Sequence, residues 1–229
     1  MQTPDSTRFE IKMVTAELML PQVRSWLQVH PSGFYRPYPN RQINNVYFDT
    51  PHLSNFVDNL AGVSQRRKLR LRWYGADPSA AQGTLELKCK RNLYGWKESQ
   101  RLSKCLNLLN SRWLDLIQFI RQDLTGVLQT YFNNAILPVL INQYHREYYL
   151  SFDGKVRVTI DSANTVYNQT LSGSPNLTFA IPPAGGANAI IEVKADRADQ
   201  QALADFFPDF PLRVGRHSKY ALGMEAIFS

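Results

Sequence analysis

The stretch KLRLRWY at 68–74 is the most informative part of the sequence, because basic and apolar residues alternate along it with a period of two. Successive side chains of a β-strand point to opposite faces of the sheet. The stretch is therefore predicted to form a strand that presents Lys68, Arg70 and Arg72 on one face. Its other face, which begins with Leu69, is apolar and suited to a packed core.

The same alternation of charged and apolar residues recurs in four further segments. They are 10–12, 86–90, 157–161 and 192–194. An ordinary solvated strand face mixes Ser, Thr, Asn and Gln with its charges, whereas here Arg, Lys and Glu dominate. Like charges that are enclosed together cost several kcal/mol unless an anion compensates them. The pattern therefore predicts a closed or nearly closed sheet with a charged interior and an apolar exterior covered by helices.

Hydrophobic periodicity divides the rest of the chain into strands and helices. Period-two segments predict strands at 9–14, 43–48, 68–74, 84–90, 137–150, 155–160 and 189–195. Helical spacing predicts helices at 15–29, 112–124, 198–207 and 219–227. The stretch 171–187 is rich in Gly, Pro and Ser, which predicts an exposed loop or a long hairpin connection. The pattern indicates an α+β fold, and 229 residues fit a single domain over 1–229.

Composition narrows the choice of partner. Lys and Arg number 26 against 19 Asp and Glu, a net charge of +7 that favours an anionic partner. The chain lacks the P-loop, dinucleotide-binding, zinc-protease and serine-hydrolase signatures, which argues against membership in these four classes of protein. Its two cysteines cannot build a disulfide framework, and no apolar stretch is long enough to span a bilayer. We expect a cytoplasmic protein with reduced thiols.

Three glutamates on the charged strand faces are candidate metal ligands. Glu10, Glu86 and Glu192 each lie two residues before a lysine, on the same predicted face. Mg²⁺ and Mn²⁺ take oxygen ligands, usually one or two carboxylates together with phosphates and water. A basic interior that holds a few carboxylates would thus suit a triphosphate with a divalent cation. The alternative for each glutamate is an ion pair with a neighbouring Lys or Arg.

An ordered set of short motifs resembles a known family. The motifs are FEIK at 9–12, VYFDT at 46–50, LRLRWYG at 69–75, LELK at 85–88, RVTID at 157–161, IEVK at 191–194 and SKY at 218–220. In this order they resemble the VTC domain, the polyphosphate polymerase domain of the vacuolar transporter chaperone complex. That family belongs to the triphosphate tunnel metalloenzymes, the CYTH-like superfamily. The resemblance runs from about residue 8 to residue 224.

The resemblance implies an antiparallel β-tunnel or barrel of about eight strands, with a basic interior and flanking helices. It implies a polymerase that transfers the γ-phosphate of ATP to a growing polyphosphate chain with Mn²⁺ or Mg²⁺. The residues that it places in catalysis are Arg70, Arg72, Lys88, Arg157 and Lys219. Those expected to bind substrate are Lys12, Lys97, Arg146, Lys194, Arg216 and Ser218. Glu192 matches the metal ligand of the family, and Glu10 and Glu86 are further metal candidates.

Three positions depart from the family pattern. Arg8 stands where hydrolytic members of the superfamily often carry a first glutamate, which favours the polymerase branch. Arg216 stands where the polymerases tend to carry a lysine, so the charge is kept but the geometry differs. Asn59, in the predicted loop 53–62, is the nearest residue to an expected basic position.

Other functions stay open at this point. The same fold would serve a triphosphatase that cleaves inorganic triphosphate or a nucleoside triphosphate with water. A non-catalytic module that binds polyphosphate is a second alternative. Nucleic acid is not expected as a partner, because the positive charge lies in strand-alternating pairs and not in a surface run. A separate membrane protein is a possible partner, since this chain has no predicted span.

Overall fold

An antiparallel sheet is the main element of the computed structural model, which describes residues 8–91, 94–181, 188–215 and 218–228. The strands are β1 (Arg8–Ala16), β2 (Arg41–Asp49), β3 (Gln65–Tyr74), β4 (Thr84–Arg91), β5 (Tyr94–Arg101), β6 (Leu137–Leu150), β7 (Val156–Asn168), β8 (Ala180–Ile181) and β9 (Asn188–Asp196). The helices are α1 (Leu20–Val29), α2 (Ser54–Leu60), α3 (Trp113–Asp123), α4 (Gly126–Asn134), α5 (Gln200–Phe206) and α6 (Lys219–Phe228).

Eight of these strands lie in the order β1-β9-β7-β6-β2-β3-β4-β5, and the short β8 adds to β7. All the pairings are antiparallel. Within the described ranges no ladder joins the two edge strands, β1 and β5. The sheet is therefore a curled half-barrel. The predicted α+β class, the eight-stranded antiparallel sheet and the flanking helices are confirmed.

The charged face of the sheet is the concave one. Lys68 on β3 is repelled by Lys12 on β1, although four strands lie between β3 and β1 in the sheet order. Lys88 on β4 likewise lies within electrostatic range of Glu10 and Lys194, on β1 and β9. Residues so far apart in the sheet approach one another only if it curls around them. We call the space enclosed by this face the trough.

The opposite, convex face is apolar and is covered by helices. Trp73 and its neighbours on β2, β3 and β4 pack against α3 and α4, whose Ile120 and Phe132 are fully buried. Val158 and its neighbours on β1, β7 and β9 pack against α1 and α5, where Phe206 is fully buried. Each fully buried large apolar side chain contributes about 1.5–3 kcal/mol, so these two clusters hold the sheet in its curl.

Helix α6 lies on the concave side and fills part of the curl. The Tyr220 ring stacks on Tyr47 with ring centroids 4.9 Å apart. A Cβ added at Gly223 would lie 3.1 Å from Leu140 Cδ2, so a glycine permits this close approach of the helix to β6. These contacts place the N-terminus of α6, with Lys219, inside the trough.

Buried Asp49 at the end of β2 anchors both α2 and α6. Its carboxylate accepts hydrogen bonds from the backbone N–H groups of Asn55 and Phe56, each at 2.9 Å, in the first turn of α2. It also accepts one from the Tyr220 hydroxyl on α6. One side chain therefore fixes two helices against the sheet.

Some predicted boundaries are wrong, and tertiary pairing is the reason for the first. The helix predicted at 15–29 begins only at Leu20, because Thr15 and Ala16 continue the ladder of β1 with β9. The strand predicted at 84–90 runs one residue further, to Arg91, which pairs with Tyr94 of β5. Strand β7 runs beyond the predicted end at residue 160, to Asn168 opposite Leu140 of the long β6.

Two helices are absent from the predicted set. The predicted loop 53–62 contains α2, whose N-terminus is capped from β2 by Asp49 and not by a residue at its own start. Helix α4 contains no charged residue, so no charged face reveals the helical periodicity in its sequence. Only Leu128 and Phe132 of α4 are buried, so its apolar stripe is narrow.

The Asp49–Tyr220 hydrogen bond is expected to stabilise the fold. Tyr220→Phe keeps the ring stack but leaves Asp49 with one partner fewer, so the free energy of unfolding should fall by about 1–2 kcal/mol. Urea denaturation measures this. Tyr35→Phe, at an exposed tyrosine, is the matched control. Equal stability of the two variants would contradict the anchoring role.

Candidate functional site

Cross-strand pairing brings the predicted basic residues together on one wall of the trough. On β3 and β4, Arg70 lies opposite Glu86 and Lys68 lies opposite Lys88. Lys97 on β5 lies opposite Lys88, so three lysines stand in one row across β3, β4 and β5. Residues directly opposite each other on antiparallel strands have adjacent side chains on one face. This wall is therefore densely basic.

The second wall is built from β1, β9, β7 and β6. Its register places Lys12 opposite Glu192, Lys194 opposite both Glu10 and Arg157, and Arg146 opposite Asp161. Lys219 and Ser218 reach the same space from the start of α6. The structure thus brings together every predicted substrate-binding or catalytic residue except Arg216, which lies outside the described residues.

Glu86 is the anion of the first wall. Its Oε2 atom accepts hydrogen bonds from Arg70 Nη2 at 2.6 Å and Nε at 2.8 Å. Lys97 Nζ lies 3.4 Å from the Oε1 atom. Burial would raise the pKa of Glu86, but Arg70, Arg72 and Lys97 outweigh it and hold the pKa at about 2. Glu86 is a fixed counter-ion of this wall and stands apart from the other two metal candidates.

Glu10 and Glu192 form a pair of carboxylates on the second wall. Lys12 Nζ lies 2.7 Å from Glu10 and 3.4 Å from Glu192. Lys194 Nζ lies 3.6 Å from Glu10 and 3.2 Å from Glu192. Burial would raise the pKa of Glu192, but the charges of Lys194 and Lys12 hold it well below its usual value. Within the described ranges no three His, Cys, Asp or Glu side chains cluster as a metal site.

Asp161 orders two of the predicted basic residues. It is fully buried, and Arg146 binds it through two nitrogens at 2.5 and 2.7 Å. Lys219 Nζ also lies 2.5 Å from it. Burial would raise the pKa of Asp161, but Lys219 and Arg146 lower it below its usual value. Both cations lie over the Tyr144 ring, at 5.4 Å for Arg146 and 4.6 Å for Lys219.

Sequence reasoning left Lys68 out of the candidate site. Its Nζ donates to Ser218 Oγ at 2.8 Å, and the same hydroxyl caps the start of α6 by accepting from Ala221 N. Burial in the trough, with repulsion from Lys12 and neighbouring arginines, lowers the pKa of Lys68 to about 8. The alternation along β3 already placed Lys68 on the face of Arg70, which is the signal that identifies it.

Tyr144 and Asp161 were also missing from the candidate set. Tyr144 supports two cations through its ring, and the packing of α6 brings one of them, Lys219, over it. Asp161 binds Arg146, the residue directly opposite it in the ladder of β6 with β7.

Lys88 carries charge that is not compensated by an ion pair. In the part of the chain that the structure describes, it lies between Lys68 and Lys97 and has no hydrogen-bonded carboxylate. Repulsion from Arg70, desolvation and repulsion from Lys194 lower its pKa to about 7. An anion bound in the trough would relieve this repulsion.

Fold and site together define a class: an α+β half-barrel whose concave face holds more basic than acidic side chains and suits a polyanion. A family model described as the VTC domain matches residues 7–228. The chain therefore belongs to the VTC domain family, which is linked to polyphosphate synthesis. No curated protein matches the chain. No helix among the described residues is long and apolar enough to cross a membrane.

Two solved structures show limited likeness. The PH1819 protein from Pyrococcus horikoshii OT3 is 13% identical, with a TM-score of 0.45, and the match covers 95% of this chain and 98% of that one. The Schizosaccharomyces pombe Mediator head module is 12% identical, with a TM-score of 0.43, and the match covers 87% of this chain and 88% of that one. Both scores are too low for any inference about function.

Repulsion within the row of lysines is expected to lower the free energy of unfolding of the ligand-free protein, by an amount that depends on pH. Because the pKa of Lys88 falls from 10.5 to about 7 on folding, the unfolded chain binds more protons between these values, and Lys88 lowers stability most below pH 7. Because Lys88 is exposed and solvent screens its repulsion, Lys88→Gln should raise the free energy of unfolding by only about 1 kcal/mol at pH 6 and by nearly nothing at pH 10.5. Chemical denaturation at the two pH values tests this.

The matched control for this prediction is Lys104→Gln, at an exposed lysine outside the trough. It should change stability little at either pH. A stabilisation by Lys88→Gln that is the same at both pH values would contradict charge repulsion as its cause.

Proposed function

We propose that this chain is a polyphosphate polymerase, which transfers the γ-phosphoryl group of ATP to the end of a polyphosphate chain held in the trough. The observation that carries the proposal is the excess of basic over acidic side chains on one enclosed face. Family membership supports it, because the VTC domain is linked to polyphosphate synthesis. The cytoplasmic location and the separate membrane partner remain predictions.

The basic residues differ in how they are held. Arg146 and Lys219 are fixed on Asp161, and Arg70 is fixed on Glu86. Such residues are pre-organised, so they orient a triphosphate with little loss of side-chain freedom. Lys88 has no such partner among the described residues, and it is free to neutralise charge on an incoming phosphate.

Arg72 is held in a third way, by neutral partners. It donates to Asn45 Oδ1 at 2.9 Å and to the Tyr144 hydroxyl at 3.3 Å. Its charge is therefore oriented, and among the described residues the carboxylate that offsets it is the distant Glu86, at 4.0 Å. We propose that Arg72 contacts the transferred phosphoryl group, because a positioned and weakly compensated guanidinium is suited to charge that develops in the transition state.

The carboxylates fit a divalent cation at one place. Glu10 and Glu192 share the same two lysines and lie side by side, and two carboxylates are a donor set that Mg²⁺ or Mn²⁺ uses with phosphate oxygens. Glu86 is less suited, because the Arg70 guanidinium binds its Oε2 atom through two nitrogens. When bound, the ion would neutralise charge on the phosphates.

Transfer needs positioning and charge neutralisation more than covalent help from the protein. The attacking group would be the terminal phosphate of the polymer, which is already anionic and requires no general base. The role of the trough is to hold donor and acceptor in line while its arginines and lysines offset their mutual repulsion. Water as the attacking group would make the same site a triphosphatase.

A product assay tests the function. Purified protein with ATP and Mn²⁺ should form polyphosphate chains that lengthen with time, together with ADP. Arg72→Ala should reduce this rate about 100-fold, because it removes a charged donor from the trough. Arg121→Ala, at an exposed arginine on α3, is the matched control and should keep the activity.

The other products would decide between the alternatives. Free phosphate without polymer would show a triphosphatase. Saturable binding of triphosphate without turnover would show a binding module. Polymer formed equally well by the Arg72→Ala variant would contradict the assignment of the trough as the active site.

The metal assignment makes a separate prediction. Glu192→Gln should lower Mn²⁺-dependent turnover more than tenfold, because it removes one charged ligand. Affinity for inorganic triphosphate measured in EDTA should stay the same or increase, since the substitution also removes a negative charge beside Lys12 and Lys194. Asp115→Asn, at an exposed carboxylate on α3, is the control. An equal loss of binding and turnover would indicate that Glu192 only orders the lysines.

A further inference from the structure

Aromatic residues and an arginine gather at one end of the trough, outside the phosphate-binding residues described above. Tyr38 precedes β2, Arg41 begins β2, and Tyr148 lies near the end of β6. Tyr74, at the end of β3, lies within electrostatic range of Tyr148. We call Tyr38, Arg41, Tyr74 and Tyr148 the mouth cluster.

Three members of the mouth cluster, Tyr38, Arg41 and Tyr148, contact one another. The rings of Tyr38 and Tyr148 meet edge to face, with centroids 5.7 Å apart. The Arg41 guanidinium carbon lies 5.6 Å from the Tyr38 centroid and 6.0 Å from the Tyr148 centroid. The cluster is thus a joined surface of rings and one planar cation.

This surface is open to solvent. Tyr38 is 56% exposed and Tyr74 is 51% exposed. Arg41 is exposed as well, and among the described residues it has no carboxylate within ion-pairing distance. Its contacts there are to the two tyrosine rings. A large aromatic area and a guanidinium plane are therefore available to a flat ligand.

The cluster is continuous with the phosphate-binding residues. Arg41 lies directly opposite Arg146 in the ladder of β2 with β6. Tyr148 lies two residues after Arg146 on the same face, a spacing of about 7 Å along the strand. Arg146 also lies within electrostatic range of Tyr148. If the phosphates of a ligand lie at Arg146, the group attached to those phosphates would lie at the mouth cluster.

We propose that the mouth cluster binds the nucleobase of a nucleoside triphosphate whose phosphates lie in the trough, an inference that rests on the proposed function. Bases stack on tyrosine rings and on arginine guanidinium planes. Because every base has a π-face, stacking of this kind discriminates little between purines, and ATP and GTP should bind about equally. The cluster would favour a nucleoside triphosphate over inorganic triphosphate as the phosphoryl donor.

The test compares two ligands that differ only in the nucleoside. Calorimetric titrations of the whole chain with ATP and with inorganic triphosphate, both in EDTA, measure the two affinities without metal-dependent turnover. Tyr38→Ala should weaken ATP binding about tenfold, the scale of one stacked base, and change inorganic triphosphate binding less than twofold. Arg41→Lys, which keeps the charge and loses the planar group, should show the same selective loss.

The control is Tyr35→Ala, at an exposed tyrosine of the same connection outside the mouth cluster. It should leave both affinities unchanged. Tyr38→Ala with unchanged affinity for ATP, or with equal losses for ATP and inorganic triphosphate, would overturn the base-binding proposal while leaving the trough intact. Wild-type protein that binds neither ligand would overturn the proposed function itself, and the base site with it.

Discussion

Compensation of like charge is the constraint on which the structure depends. Both walls of the trough carry basic side chains, and repulsion among these side chains would oppose the curl of the sheet. Buried Asp161 and Glu86 relieve it by binding Arg146, Lys219 and Arg70. A buried carboxylate costs free energy unless it is paired and hydrogen-bonded, and here each pairing also fixes a cation in place. The same ion pairs thus permit the curl and order the site.

Helix α6 links this charged face to the core. Its Tyr220 packs on Tyr47 and binds Asp49, and the residue before it, Lys219, binds Asp161. The position of Lys219 in the trough is therefore set by an apolar contact and a buried hydrogen bond one residue away. Displacement of α6 would change stability and the site together, because they share one anchor.

Much of the site was predictable from local alternation. The period of two along 68–74 correctly placed Arg70 and Arg72 on one face, since a strand allows its side chains only two directions. The start of α1 was not predictable in this way, because residues 15 and 16 are held in β1 by pairing with distant β9. Likewise α2 receives its cap from Asp49 on β2. Both features depend on contacts that a local pattern does not contain.

The strand faces, the α+β class and the basic character of the concave side follow from side-chain spacing and charge along the chain. Which charged groups meet depends on how the strands pair. The pairing of β1 with β9 makes Glu10 and Glu192 neighbours, whereas the pairing of β3 with β4 gives Glu86 to Arg70. The register between strands that are distant in sequence is set by the packing of the whole core. This register determines which charged residues become partners, and a short segment of sequence does not contain that information.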